Sequence, residues 1–386
     1  MVRTLEGEVR GSARRRSSKS FSYQRLPELV TRLELEGLET RKIARQMGLS
    51  EATVRSWIRK NLFGRGFGLN AVVDYNKIGL LRVLLVVKVS ERYLPVARRV
   101  FSEMSETSYL VYFVPLLDGR HLVISAVPRE SIIQYTSFIS ELRARGFFSS
   151  VDEILTFEWS RNPPMKVGSY DFYADAWELN LEGEVRREEI LVKPQDRVKF
   201  DGVDLMIVEL LQADPSVSLK WMANRRGLNY KRVLRHYRHV TQRGLVPAYR
   251  LNWIKTPYDR KSQRARMATH SYLLVDLVVK DVSGEELDRL MLATHRLPFL
   301  WFEEGGDNYF CEIPVPLDQA NEVFVYLRDS LPEFQGRSRV LIGTYEQGPH
   351  AFSIQPKLYS QRERRWVFDS ASVLKRVDQV LLTVTR

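Results

Sequence analysis

Residues Thr40–Lys60 read TRKIARQMGLSEATVRSWIRK. Ile43, Ala44 and Met47 recur at helical spacing, Gly48-Leu49-Ser50 interrupts the pattern, and Val54, Trp57 and Ile58 resume it. Gly48 suits a turn with positive φ, Ser50 suits an N-cap, and Glu51 favours the start of the second helix. Ala44 is small where the two helices must cross. The spacing predicts a helix-turn-helix whose second helix presents Glu51, Thr53, Arg55, Ser56 and Arg59 outward, where such a helix can enter a DNA major groove. An ordinary helical hairpin would account for one such stretch. The pattern occurs twice.

The second occurrence, residues 219–244, is LKWMANRRGLNYKRVLRHYRHVTQRG. Its Ala223, Gly227, Leu228 and Val233 follow Ala44, Gly48, Leu49 and Val54 at a common offset of 179 positions, which indicates an internal duplication. Arg226 and His236 stand where Met47 and Trp57 are apolar, so the second copy is expected to pack less tightly or to have drifted in groove reading.

Each helix-turn-helix has the same surroundings. A preceding amphipathic helix is predicted over 26–38, with Leu26, Leu29, Val30, Leu33 and Leu35, and again in VDLMIVELLQADP. A wing follows, in LFGRGFGLNAVVDY and in LVPAYRLNWI. Next comes a βαββαβ order. In the first copy it runs LLRVLLVVKV, RYLPVARRVFSEM, SYLVYFVPL, RHLVISAV, SIIQYTSFISELRARG and VDEILTFEW, with Asp118-Gly119 as a hairpin turn. The second runs from SYLLVDLVVK to RVLIGTYEQ, with its hairpin at Gly305-Gly306-Asp307-Asn308.

The fold class is therefore α+β, two winged helix-turn-helix domains alternating with two ferredoxin-like sandwiches. The expected boundaries are a disordered basic arm 1–20, winged helix-turn-helix 21–76, sandwich 77–160, linker 161–199, winged helix-turn-helix 200–256, sandwich 265–348 and a tail 349–386 with a terminal helix. Leu358-Tyr359 and Trp366 repeat Phe172-Tyr173 and Trp177.

At 386 residues the chain has room for two to four domains of roughly 100–200 residues each. A formal charge of +12 points to a polyanionic partner. The one cysteine, Cys311, excludes an internal disulfide and a cysteine-rich zinc site, and no metal or cofactor is expected. No apolar run has a membrane span's length and the start lacks a signal-peptide core, so a cytoplasmic, nucleoid-associated protein is expected. No P-loop, dinucleotide fingerprint, nucleophile elbow or HExxH occurs.

The stretches IARQMGLSEATVRSWI, AVVDYNKIG, VDLMIVELLQADPSVSLKWMA and GGDNYFCEI make the chain resemble the Lrp/AsnC family of transcription regulators over roughly 25–158 and 200–348, in two copies where the usual member has one. That resemblance implies ACT/RAM-like sandwiches, a double-stranded DNA partner, and an effector such as an amino acid at the loop Gly305, Gly306, Asp307 and Asn308. It implies a sequence-specific regulator, with no catalytic residues and no enzymatic activity, in which the two sandwiches pair within one chain as a pseudo-dimer.

The DNA contacts expected from residue type and position are Arg41, Ser50, Thr53, Arg55, Ser56, Arg59 and Lys60 in the first copy. In the second they are Asn229, Tyr230, Lys231, Arg232, Arg235 and Arg238. Two alternatives stand beside this reading. One is an architectural, chromatin-like DNA binder. The other is an enzyme similar to the siroheme decarboxylases, which share the architecture and use sandwich-domain histidines; His121 and His295 lie there, but the His-Asn-Tyr segment of those enzymes is absent.

Overall fold

The computed structural model describes residues 23–183, 185, 197–253, 272–344 and 350–384. The basic arm 1–20 and the basic insert YDRKSQRARM lie outside the described residues. Helix α1 (Leu26–Glu36) precedes the first helix-turn-helix, α2 (Thr40–Met47) and α3 (Glu51–Trp57), which runs on through a π-helical turn at Ile58–Leu62. Gly48 closes α2 at φ 62°, and nothing would obstruct a side chain there, so the requirement for glycine is conformational. Ser50 caps α3 by accepting from the Thr53 amide at 3.1 Å.

Strand β1 (Gly68–Val72) leads to β2 (Leu80–Val89), α4 (Ala97–Thr107), β3 (Leu110–Pro115), β4 (His121–Pro128), α5 (Ile132–Ala144) and β5 (Phe148–Phe157). Their antiparallel order, β3-β4-β2-β5, is that of a ferredoxin-like sheet. After β6 (Trp159–Arg161) and a small hairpin, β7 (Tyr170–Asp171) and β8 (Ala176–Trp177), the plan repeats. It comprises α6 (Gly202–Ala213), α7 (Leu219–Arg226), α8 (Tyr230–Gln242), β9 (Ala248–Asn252), β10 (Tyr272–Val279), α9 (Gly284–Thr294), β11 (Phe302–Gly305), β12 (Tyr309–Pro316), α10 (Ala320–Ser330) and β13 (Ser338–Thr344). The second sheet orders β13-β10-β12-β11 in the same way. A β14 pair of residues (His350–Ala351), a hairpin β15 (Tyr359–Ser360) and β16 (Arg365–Trp366), and helix α11 (Ser370–Leu381) complete the chain.

The two halves exchange segments. Strand β6, leaving the first sandwich, pairs with the β11 edge of the second, and β14, leaving the second, pairs with the β3 edge of the first. Each exchange covers an exposed sheet edge. The wing strands join as well: β1 and β9 form one two-stranded sheet from Gly68↔Asn252 to Val72↔Ala248. Helix α11 returns to pack on α4 and α5 of the first sandwich, burying Val373, Leu374, Val377, Val380 and Leu381. Each such side chain is worth about 1.5–3 kcal/mol of burial.

Gly305 is fixed by this exchange for a steric reason. A Cβ there would sit 2.2 Å from the Trp159 ring, so only glycine lets β6 dock. Residues of the predicted linker form an aromatic cluster, with Trp253 4.8 Å from both Trp177 and Tyr170 and 5.5 Å from Phe67. The later hairpin repeats this role at the second helix-turn-helix, where Tyr359 meets Phe200 at 5.1 Å and the Trp366 indole donates to the Ile78 carbonyl at 2.7 Å.

Candidate functional site

The two recognition helices differ in how much charge they leave available. On α3, Arg55 binds Glu51 at 2.6 Å and approaches Thr40 at 3.3 Å. Ser50 and Thr53 bond to each other at 2.8 Å, Ser56 is half-buried, and Arg41, Arg59 and Lys60 are exposed. On α8, Asn229 is spent as the N-cap, accepting from the Lys231 amide at 2.8 Å. Tyr230, Lys231, Arg232, Arg235 and Arg238 are exposed, and Lys231, Arg232 and Arg238 have no ion pair with a described residue. The segment 215–244 contains no acidic residue that would pair them.

The inner side of α8 faces a cavity of about 810 Å³, within the size range of sites for whole organic ligands. It forms where α6 and α8, the β15–β16 hairpin and the start of the first sandwich meet. Its cations are Arg197, Lys199, Arg235, Arg364 and Arg365, against the carboxylates of Glu130, Asp201 and Asp204. Phe200, Tyr359, Trp366 and Ile78 supply apolar wall.

At the floor, Asp204 accepts from His236 Nδ1 at 2.8 Å and lies 3.2 Å from His239 Nδ1. Asp201 and Asp204 also form a capping box for α6, accepting from Val203, Asp204 and Asp201 amides. That box sets the carboxylates rigidly beneath the imidazoles. Asp201, Asp204 and His236 hold ligand-type atoms within 4.8 Å of one another, but the caps already use those carboxylate oxygens. His236, polar where Trp57 stands in the first copy, is buried and bonded, so the loss of an apolar group is offset by a hydrogen bond rather than left as a void.

A second polar group lies between the sandwiches. Arg82 on β2 binds Glu304 on β11 at 2.7 Å, and the Tyr112 hydroxyl donates to Glu312 on β12 at 2.7 Å. Asp276 on β10 stands directly across from Glu312, both fully buried. Burial, then the neighbouring carboxyl, raises Asp276 well above the usual carboxylate range, and burial lifts Glu312 to about 7. Burial also raises Glu304 despite Arg82.

His295 ends α9 and binds Glu303 at 2.7 Å, with Arg161 3.0 Å from the same ring nitrogen. Glu303 stays low although burial pushes it up, because His295 and Arg161 favour its charge. His121 is packed against Phe101, and burial pushes its pKa down to about 4, so it is neutral at pH 7. Both sandwich histidines are thus enclosed by neighbours.

The loop proposed for an effector is partly covered. Gly305 pairs with Trp159, a Cβ on Gly306 would meet Glu158 at 2.8 Å, and the Asp307 carbonyl accepts from Val282. Asp307 itself is exposed. The cavity residues Arg197, Asp204, His239, Arg364 and Arg365 were not among the expected site residues. They come from segments far apart in sequence, and no local spacing marks them.

No known family model matches the sequence, and no curated protein matches it. Among solved structures, the chain is similar in fold to the siroheme decarboxylase NirDL, with a TM-score of 0.51 and 11% identity, over 95% of this chain and 100% of that one. The same enzyme in complex with an iron-uroporphyrin III analogue gives 0.49 and 11% over 93% and 99%. LrpC of B. subtilis gives 0.25 and 19%, covering 38% of this chain and 94% of its own. The end-to-end counterpart is an enzyme, and this corrects the expectation that the chain has no enzymatic activity.

Proposed function

We propose that the chain is an enzyme of the decarboxylase type, acting on a polycarboxylate macrocycle of the siroheme class held in the cavity beside α8. One observation carries this reading: a chain with the fold of a siroheme decarboxylase over its whole length has a large cavity with five Arg and Lys side chains on its wall. Charge-assisted bonds from Arg197, Arg235, Arg364 and Arg365 suit several carboxylates on one ligand, and the Phe200, Tyr359 and Trp366 wall suits a flat ring. When a C–C bond breaks and CO2 leaves, the electron pair stays on carbon and must take up a proton. His239 suits that delivery, since Asp204 orients its Nδ1 and its Nε2 has no bond to a described residue. The apolar wall beside the leaving carboxylate favours loss of its charge as CO2.

Titration of the chain with siroheme, followed by absorbance and then by mass spectrometry for loss of CO2, tests this. Arg235→Ala is expected to weaken binding about ten-fold or more, as loss of one charge-assisted bond does. His239→Gln is expected to bind as wild type but release no CO2. An unchanged absorbance spectrum at large excess of siroheme would refute the reading.

A second reading has its own observation. The outer face of α8 keeps Lys231, Arg232 and Arg238 exposed without ion pairs to described residues, which favours a nucleic-acid phosphate backbone. For duplex DNA the log affinity should fall linearly with log salt, with a slope of about −2.7 if these three side chains each neutralise a phosphate. A flat response would remove this reading.

A further inference from the structure

The second helix-turn-helix carries aromatic rings at two surface positions where the first has charged residues. Trp221 and Tyr230 follow Lys42 and Glu51 at the offset of 179 that aligns the two copies. Both aromatics are exposed, Trp221 by 42% and Tyr230 by 48%. In the first copy Glu51 is used locally, binding Arg55 and Thr40 at 2.6 and 2.9 Å. In the second, Tyr230 replaces that acid and Leu234 replaces Arg55, and the cations of this stretch, Lys231 and Arg232, stand where the first copy has Ala52 and Thr53. Lys220, Lys231 and Arg232, next to the rings in sequence, are exposed, as is Arg225, whose guanidinium lies over Trp221 at 5.0 Å.

Large exposed rings beside unpaired cations match one kind of ligand better than a duplex. A double helix keeps the faces of its bases stacked inside and offers edges and phosphates, which arginine and lysine already serve. Unpaired bases offer their faces, and each can stack on a tyrosine or tryptophan while cations track the backbone. We propose that this face of the second helix-turn-helix binds single-stranded nucleic acid, with bases stacked on Tyr230 and Trp221 and phosphates on Lys220, Lys231 and Arg232. This rests on the reading of α8 as a nucleic-acid surface. The first copy, with Lys42 and Glu51 in place of the rings, has no such platform.

The test uses the full chain and three labelled probes of equal length, an oligothymidylate, an oligouridylate and a mixed-sequence duplex, followed by fluorescence anisotropy. At least one single strand is expected to bind more tightly than the duplex, and the tighter of the two identifies the DNA or RNA source. Tyr230→Ala and Trp221→Ala are each expected to weaken that strand about ten-fold, the usual effect of removing one stacking ring. Neither removes a charge, so the salt slope should stay unchanged. Tyr230→Phe should bind as wild type, because the ring face remains. Both side chains are exposed, and the alanine variants are expected to melt with the wild-type profile. Duplex binding equal to or tighter than both strands would overturn the proposal, as would alanine variants that bind the strands normally. Absence of binding to all three probes would instead remove the nucleic-acid reading of α8, and this proposal with it.

Discussion

Arg82→Met is expected to lower the unfolding free energy by about 3–5 kcal/mol, the usual cost of leaving a buried charge without its partner. Arg82 and Glu304 are both buried, and Arg82 is the cation that meets Glu304 across the two sheets. Methionine keeps most of the volume, so the loss reports charge rather than packing. The pH dependence separates the two. Burial already raises the Glu304 pKa, and without Arg82 it rises further. A carboxyl with a raised folded pKa favours the folded state when protonated, and that contribution is lost as pH rises above the ordinary carboxylate range. The deficit of Arg82→Met should therefore be small at low pH and grow towards neutrality. The double variant Arg82→Met, Glu304→Gln should recover most of the stability. Denaturant unfolding across pH would measure this, and a deficit independent of pH would show that packing, not charge, was lost.

Asp276→Asn is expected to flatten a pH trend. Asp276 and Glu312 face each other on adjacent strands with Tyr112, Arg82 and Glu304 nearby, and among the described residues no donor other than the facing Glu312 carboxyl reaches the oxygens of Asp276. One of the two carboxyls must hold a proton for the other to be tolerated. Both pKa values lie above the unfolded value, so the folded state binds more protons than the unfolded one. Stability is then greatest below the usual carboxylate range and falls as pH rises towards and beyond the Glu312 value of about 7. Each unit of raised pKa corresponds to about 1.4 kcal/mol. Asparagine removes one titrating group and can donate to ionised Glu312. The variant should be more stable than wild type at about pH 8.5 and no more stable at about pH 5. Parallel stability curves for the two proteins would sink this account.

Much of the fold was legible in sequence because it rests on local rules. The periodicities of Ile43, Ala44 and Met47, the positive-φ glycines at 48 and 227, and the common offset between copies each report a short-range constraint. They identify winged helix-turn-helix and βαββαβ units without knowledge of what packs where. The basic surface of α8 was legible too, since a helix with no acids in 215–244 has no local means of neutralising itself. The expectation of no enzymatic activity failed because a recognition-helix pattern states which residues face outward, not what the inward face encloses.

What the sequence by itself determined about this protein is the α+β plan, its duplication and the charged outer face of each recognition helix. Only the tertiary structure decided that β6 and β14 exchange between sheets, that Gly305 is a steric necessity beneath Trp159, and that Asp276 and Glu312 share a buried site. It also decided that Arg197, Asp204, His239, Arg364 and Arg365 surround one cavity. The physical reason is range. Helix periodicity, caps and turns are set by residues within a few positions, whereas desolvation, ion pairing across sheets and the shape of a cavity depend on which distant segments the packing brings together.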